Sequence, residues 1–357
     1  PHPTNVVRLA QAVRPTADDG VKQVAFYLAG VGTASASTRL GQITDKIGGG
    51  AFGWGLADKL IDAYRTLIFS YVPGDQSYIF GVFRGAYTAR ALVGLIRSGG
   101  IPTRDRVKEI PRIMERYRSR DLTTHPRDEA SWAFRADVSP LVATSAAEAQ
   151  WRVEAGLGEA ELLKIRYLGV WDTVGAMGLP GVLGTLARWS KSRYAFHDTQ
   201  LSSMVENARH AVAIDERRTL YPPPLWSNLE EMQSKVEDGV QLYLQQWFPG
   251  DHGSVGGGGD ILGLSSITAR WIADGALQNQ LEFDVGALAE IDVSGDFRAP
   301  LCNRSGAKGP LWDLMQGLNA DRAGLKSLHN VSDTARRRFH GDETSRPGPL
   351  QPFEDVL

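Results

Sequence analysis

Cysteine is nearly absent: Cys302 is the one thiol among 357 residues. That excludes an internal disulfide framework and a cysteine-rich metal centre. Net charge is nearly absent too, since 39 Lys and Arg face 41 Asp and Glu for a formal value of −2. No general electrostatic pull toward nucleic acid or an anionic membrane is therefore expected. No apolar run approaches the roughly 20 residues that span a bilayer, so no transmembrane segment is expected. No basic start leads into an apolar stretch, so a secretory signal is missing from the sequence as given. The metal-binding spacings H-x-H, H-E-x-x-H and D-x-D are missing as well. Asp172, His210, Asp215, Asp251, His252 and Asp260 therefore make a poor case for a metal centre. "GVG" at Gly30–Gly32 falls short of the dinucleotide fingerprint, and "GGGAFGWG" lacks the Lys-Ser/Thr of a phosphate loop. The sequence implies no metal and no cofactor.

What is present is an alternation of short apolar runs with longer helical patterns. It predicts an α/β fold with a mainly parallel sheet and helices on both faces. Val24-Ala-Phe-Tyr-Leu28 reads as a buried strand that ends in a turn at Ala29–Gly32. Gly48–Gly55 reads as a glycine-rich loop, followed by a helix whose apolar stripe holds Leu60, Ile61, Tyr64, Leu67 and Ile68. Further strands are expected at Tyr78–Phe80, Ile165–Trp171, Ala211–Ile214 and from Val240 toward Trp247. Ala89, Leu92, Val93 and Ile96 make one face of a second helix that packs on the sheet. Residues 102–160, rich in Arg, Glu, Asp and Ala, read as a helical insertion or cap. Residues 1–345 are expected to form a single domain, with 346–357 a loose, proline-bearing tail.

The stretch "FGVFRGAYTARALVGLI", Phe80 to Ile96, carries the most chemistry. Gly81 and Gly85 frame a sharp turn between an apolar strand and a striped helix, the frame in which α/β-hydrolases hold a nucleophile as G-x-S-x-G. Such glycines are expected because a Cβ would strike the neighbouring strand and helix. The backbone N–H of Arg84, at the helix N-terminus, would point at a developing oxyanion. The middle residue is Phe83, which has nothing to attack with, and no serine lies within two residues of it. Asp172, Asp215 and His252 each follow the end of a predicted strand, the edge where open α/β sheets bind ligands. His252 suits a general base, and Asp172 suits the acid that orients it. Asp215 is an alternative acid, or a partner of Arg217 or Arg218, and His210 reads as structural.

With these residues assembled, the chain resembles the type VI secretion phospholipase effectors and their uncharacterised α/β-hydrolase relatives. The matching stretches are "TNVVRLAQAV", "GVGT", "GGAFGWGL", "AYRTLIFSYVPGD", "FGVFRGAYTARALVGLIRSGG", "VWDTVGAMGLP", "ARHAVAIDERR" and "WFPGDHGSVGGG". They cover most of 4–101 and 165–275. The resemblance implies an α/β-hydrolase fold and a Ser–Asp–His triad cleaving carboxylic esters, in some members membrane phospholipids. It places the serine on Phe83, the acid on Asp172 and the base on His252. Relatives read G-F-S-R-G where this chain has G-V-F-R-G, and H-S-D-V where it has His252-Gly-Ser254-Val. They also carry an acid where Leu28 stands. Their first strand, ending in Asp-Gly-Thr, would lie before Pro1, with part of the oxyanion hole.

The expected function is thus a serine-type lipid or carboxylic-ester hydrolase that is catalytically impaired because Phe83 replaces the nucleophile. The alternative is a non-catalytic binder of a lipid or protein, and metal-dependent hydrolysis ranks below both. Expected partners are a lipid or ester, and a secretion-machinery or immunity-type protein. The lack of a signal peptide fits a cytoplasmic protein and equally an effector exported without one.

Overall fold

Ile165–Trp171 and Ala208–Ala213 show little polar alternation, the pattern of strands covered on both faces, and both are buried almost throughout. The computed structural model describes residues 2–30, 51–174, 200–218, 221–237, 239–303, 320–342 and 345–356. Its strands are β1 (Ser77–Val82), β2 (Val142–Ala143), β3 (Glu161–Leu162), β4 (Ile165–Trp171), β5 (Ala208–Ala213) and β6 (Tyr243–Phe248). Its helices run from α1 (Asn5–Ala12), α2 (Ala51–Ser70), α3 (Arg84–Gly99) and α4 (Ile110–Arg118) to α5 (Glu129–Val138) and α6 (Ala146–Glu154). They continue with α7 (Leu229–Gln233), α8 (His252–Gly256), α9 (Gly263–Gln278), α10 (Val285–Val293) and α11 (Asp333–Gly341).

β1, β4, β5 and β6 form one parallel sheet in that order. Parallel neighbours need crossover connections, and these place helices on both faces. On one face Leu60, Tyr64, Leu95, Ile96 and Ile113 pack with Leu168. On the other, Leu9, Ala269, Ile272 and Ala273 pack with Tyr167 and Trp171. The result is the expected mainly parallel sheet with helices on both faces. Register brings Val82 beside Trp171, and Trp171 beside Ala211. The carboxyl ends of three strands therefore meet at one edge.

Between Arg104 and Glu154 the chain is mostly helical, and β2, within that stretch, forms a short parallel pair with β3. Ile110, Ile113, Met114 and Val138 join the core around α3. A buried charge triad stitches α5 to α6: Glu148 receives Arg135 Nε at 2.8 Å and Arg152 Nη2 at 2.6 Å.

Three expectations need correction. Val24–Leu28 is not a buried strand: it pairs with no described strand, and Val24 is 72% and Phe26 57% exposed. An apolar run signals a need for burial, not the presence of a partner, and β1 stands at the edge of the described sheet. The glycine-rich loop shrinks, because α2 begins at Ala51 and takes in Gly53 and Gly55. Glycine inside a helix costs about 1 kcal/mol each, which the packing of Leu60, Tyr64 and Ile68 outweighs. Residues 48–50, like 31 and 32 of the "GVG" turn, lie outside the described residues. The tail is not loose. Gly348–Val356 coils into a 3-10 helix, and Leu350 is buried with Val212, Trp247 and Phe339. The apolar cluster around Trp247 gives it somewhere to dock.

Candidate functional site

β1 ends at Val82 and α3 begins at Arg84, so Phe83 alone makes the turn between them. Its backbone sits at φ 60° and ψ −120°. A residue with a Cβ in this region carries strain of order 1–3 kcal/mol and stays there only where surroundings enforce it. Here Phe83 N–H donates to Trp171 O at 3.0 Å, and Phe83 O accepts from Tyr87 N–H at 3.3 Å. Gly81 makes the turn possible, since a Cβ there would lie 2.5 Å from Gly85 O and 2.6 Å from Ala86 Cα. Gly85 does not share that reason, contrary to expectation: its Cβ would enter open space. It sits in the first turn of α3. The Arg84 N–H opens a 16-residue helix, so the positive end of the helix dipole lies beside position 83.

Asp172 follows β4 directly and is fully buried, with φ 35° and its N–H bonded to Ala211 O at 2.7 Å. Aspartate tolerates this left-handed backbone better than most residues. Its Oδ2 lies 2.5 Å from His252 Nδ1, and its Oδ1 accepts from Ala213 N–H at 2.9 Å. Arg322 closes the other side, with Nη1 2.5 Å from Oδ1 and Nη2 3.0 Å from Oδ2. Burial by itself would raise this carboxyl's pKa. The Arg322 charge and the bonds from His252 and Arg322 outweigh burial and hold it well below the usual carboxylate range.

His252 is the first residue of α8, reached from β6 through Pro249, Gly250 and Asp251. Asp251 caps the helix by accepting Ser254 N–H at 3.0 Å, and its own N–H binds Leu301 O at 2.7 Å. The His252 N–H donates to Glu216 Oε2 at 3.2 Å. Side-chain stacking completes the anchorage. The Phe83 ring covers one face of the imidazole at 3.7 Å between centroids, and Tyr221 stacks at 5.3 Å with planes 19° apart. Arg218 in turn lies 4.3 Å over the Tyr221 ring and pairs with Glu216.

The structure thus brings Phe83, Asp172 and His252 together and leaves Asp215 apart from them. Asp215 accepts Gly250 N–H at 2.6 Å, and burial pushes it up to about 6. It pairs with neither expected arginine, because Arg217 binds Asp321 and Arg218 binds Glu216. His210 is buried between Thr173 Oγ1 at 3.2 Å and Gln245 Oε1 at 3.1 Å. Burial and the nearby Arg90 charge push it down to about 3, so it is neutral near pH 7. Sequence reasoning missed Glu216, Tyr221 and Arg322. Glu216 lies within the "AIDERR" stretch and Tyr221 three residues beyond it, whereas Arg322 lies 150 positions from Asp172 and carries no local signal.

Chemically, a neutral imidazole bonded through Nδ1 to a buried carboxylate can move a proton at Nε2. The N-terminus of α3 can support negative charge. The ring at position 83 cannot form a covalent bond with an acyl carbon. Among the described residues, no group of three or more His, Cys, Asp or Glu is placed to hold a metal ion. No helix of the described residues is long and apolar enough to cross a membrane.

The family model described as "T6SS, Phospholipase effector Tle1-like, catalytic domain" matches residues 1–275. An uncharacterised protein of Saccharomyces cerevisiae is 25% identical over 226 residues, which cover 60% of this chain and 29% of that protein. A solved structure of the Tle1 effector bound to the VgrG spike of the type 6 secretion system aligns with a TM-score of 0.37 at 19% identity. It covers 73% of this chain and 41% of its own. An uncharacterised protein from Pseudomonas aeruginosa aligns with a TM-score of 0.30 at 16% identity, over 68% of this chain and 30% of its own. The chain therefore spans well under half the length of each of these relatives.

Proposed function

Since the chain belongs to the Tle1-like family of type VI secretion phospholipase effectors, matching its catalytic domain over residues 1–275, we propose that it keeps an ester-hydrolase relay without its nucleophile. The reading assigns Asp172 as the acid, His252 as the base and Phe83 to the place of the attacking alcohol. One observation carries it: Phe83 holds the strained conformation of a nucleophile turn, with its ring 3.7 Å from the His252 ring centroid. A hydroxyl there would attack an acyl carbonyl while His252 Nε2 took its proton. Asp172 would hold the Nδ1–H tautomer, and the α3 N-terminus, beginning with the Arg84 N–H, would face the oxyanion. Without that hydroxyl no acyl-enzyme forms. What survives is at most the acceleration of about 10³–10⁴ over water that an oxyanion site and binding supply by themselves.

The substrate class that fits this reading is a lipid or other carboxylic ester, and family membership supports a secretion-machinery partner and delivery as an effector. The test compares the chain with Phe83→Ser on short-chain p-nitrophenyl esters and phospholipid vesicles. The expected result is background turnover for the chain, gain in Phe83→Ser, and loss of that gain when His252→Ala is added. Turnover by the unmodified chain that is indifferent to His252→Ala overturns the reading. Residues 102–160 are proposed as the cap of this site within a single domain.

A further inference from the structure

Asp172 is fully buried, and its partners are more numerous than a relay requires. A carboxylate offers about four acceptor sites. One goes to His252 Nδ1 and one to Ala213 N–H, and the remaining two face the terminal nitrogens of Arg322. Arg322 is itself only 8% exposed. Its Nη1 also donates to Ala213 O at 2.9 Å and its Nη2 to Tyr221 O at 2.9 Å. The guanidinium thus joins three things: the carboxylate after β4, the last residue of β5, and the loop whose Tyr221 ring stacks on His252.

We infer that Arg322 is the positioning residue of this site: it fixes Asp172 as an aimed anion through a buried, two-toothed ion pair and so presents that carboxylate to His252. The physical reason is charge balance. His252 offers Asp172 one hydrogen bond, whereas burying a carboxylate without a dedicated cation is costly enough that the group normally protonates instead. A protonated Asp172 would no longer hold the Nδ1–H tautomer of His252. A guanidinium matches a carboxylate with two parallel N–H bonds, which fixes orientation as well as charge, and a lysine ammonium does not. The pair explains why the acid and base remain assembled in a chain with no alcohol at position 83. Asp172 is held by Arg322 and the backbone, and does not depend on catalysis for its place.

The inference rests on the reading of Asp172 as the relay acid, but its test measures stability rather than turnover, so the two fail separately. Urea unfolding of the chain, Arg322→Met, Asp172→Asn and the double variant is followed at pH 4.5 and pH 7.5. In the parent, Asp172 has a lowered pKa, so its stabilising effect is present above the unfolded value and is lost only as pH falls well below it. In Arg322→Met the buried carboxylate loses its cation and its pKa rises, so stability is lost as pH rises. The folded-to-unfolded ratio should fall about a hundredfold or more at pH 7.5 when one partner of a buried pair is removed, and much less at pH 4.5. In the Asp172→Asn background, Arg322→Met should show no such dependence on pH. Arg322→Lys should recover part of the loss at pH 7.5. If Arg322→Met alone does not fold, refolding on addition of Asp172→Asn supports the pair, and failure of both overturns it. A loss equal at the two pH values, or unchanged by Asp172→Asn, overturns it as well.

Discussion

The Phe83 ring lies over the imidazole of His252, with centroids 3.7 Å apart and planes 31° from parallel. Such a contact is worth about 0.5–1.5 kcal/mol beyond its buried area, and it is obtained from a backbone held at φ 60°. The two terms can be separated with small residues. Phe83→Ala and Phe83→Gly both remove the ring, but alanine keeps a Cβ in the strained conformation and glycine does not. Elsewhere alanine is favoured over glycine by roughly 0.5–1 kcal/mol. At position 83 the order should reverse, with Phe83→Gly the more stable by about 1 kcal/mol. Paired thermal melts decide it, and an alanine variant at least as stable as glycine would mean that the turn stores no strain.

Gly256, at the end of α8, lies against the same ring. A Cβ there would run into Phe83 Cε1 and Cζ, and would lie 2.6 Å from Val82 Cγ2. Gly256→Ala should therefore destabilise the chain by about 1–3 kcal/mol, the usual effect of overpacking. In the Phe83→Ser background the collision with the ring disappears, and most of the loss should go with it. A double-mutant cycle by urea unfolding reads the coupling. Additive effects of the two changes would place the ring elsewhere.

Asp215 gives the fold a pH dependence opposite to that of Asp172. Burial pushes it up to about 6, above an unfolded value near 3.9. A raised carboxyl favours the fold while protonated, so its stabilising effect is complete below about pH 4 and lost as pH rises through about 6. Asp215→Asn keeps an acceptor for Gly250 N–H and removes the charge. It should match the parent near pH 4 and exceed it by roughly 2–3 kcal/mol at pH 7, counting 1.36 kcal/mol per pKa unit. Urea midpoints at the two pH values check this, and a difference that does not change with pH refutes it.

The legible parts of this molecule were those written in local pattern. Ile165–Trp171 was read to the residue, and the face of Ala89, Val93 and Ile96 announced α3. Gly81 marked the turn for the right reason, and Gly85 for a reason the structure does not support. The ends of β4 and β6 placed Asp172 and His252 at one edge, because parallel strands share a direction. Long-range charge pairing left no trace in the pattern. Nothing in the spacing around Arg322 says that it will meet a carboxylate 150 positions away. Burial was equally out of reach for Leu350, whose docking depends on a cluster built by Trp247 and Phe339.

Val24–Leu28 shows most clearly where pattern and structure part, and it can be tested at Phe26. A phenylalanine in a buried strand would cost about 3–5 kcal/mol on truncation. In the structure the Phe26 side chain is more than half exposed, beside Arg65, Thr66, Phe69 and Ser70 of α2. Exposed positions without special geometry change stability by within about 0.5 kcal/mol. Phe26→Ser should fall in that range, while Leu60→Ala, at a fully buried site, should lose about 2–5 kcal/mol. Urea unfolding of the two variants beside the parent gives the comparison. A loss in Phe26→Ser as large as that in Leu60→Ala would return the segment to the sheet, on the open side of β1.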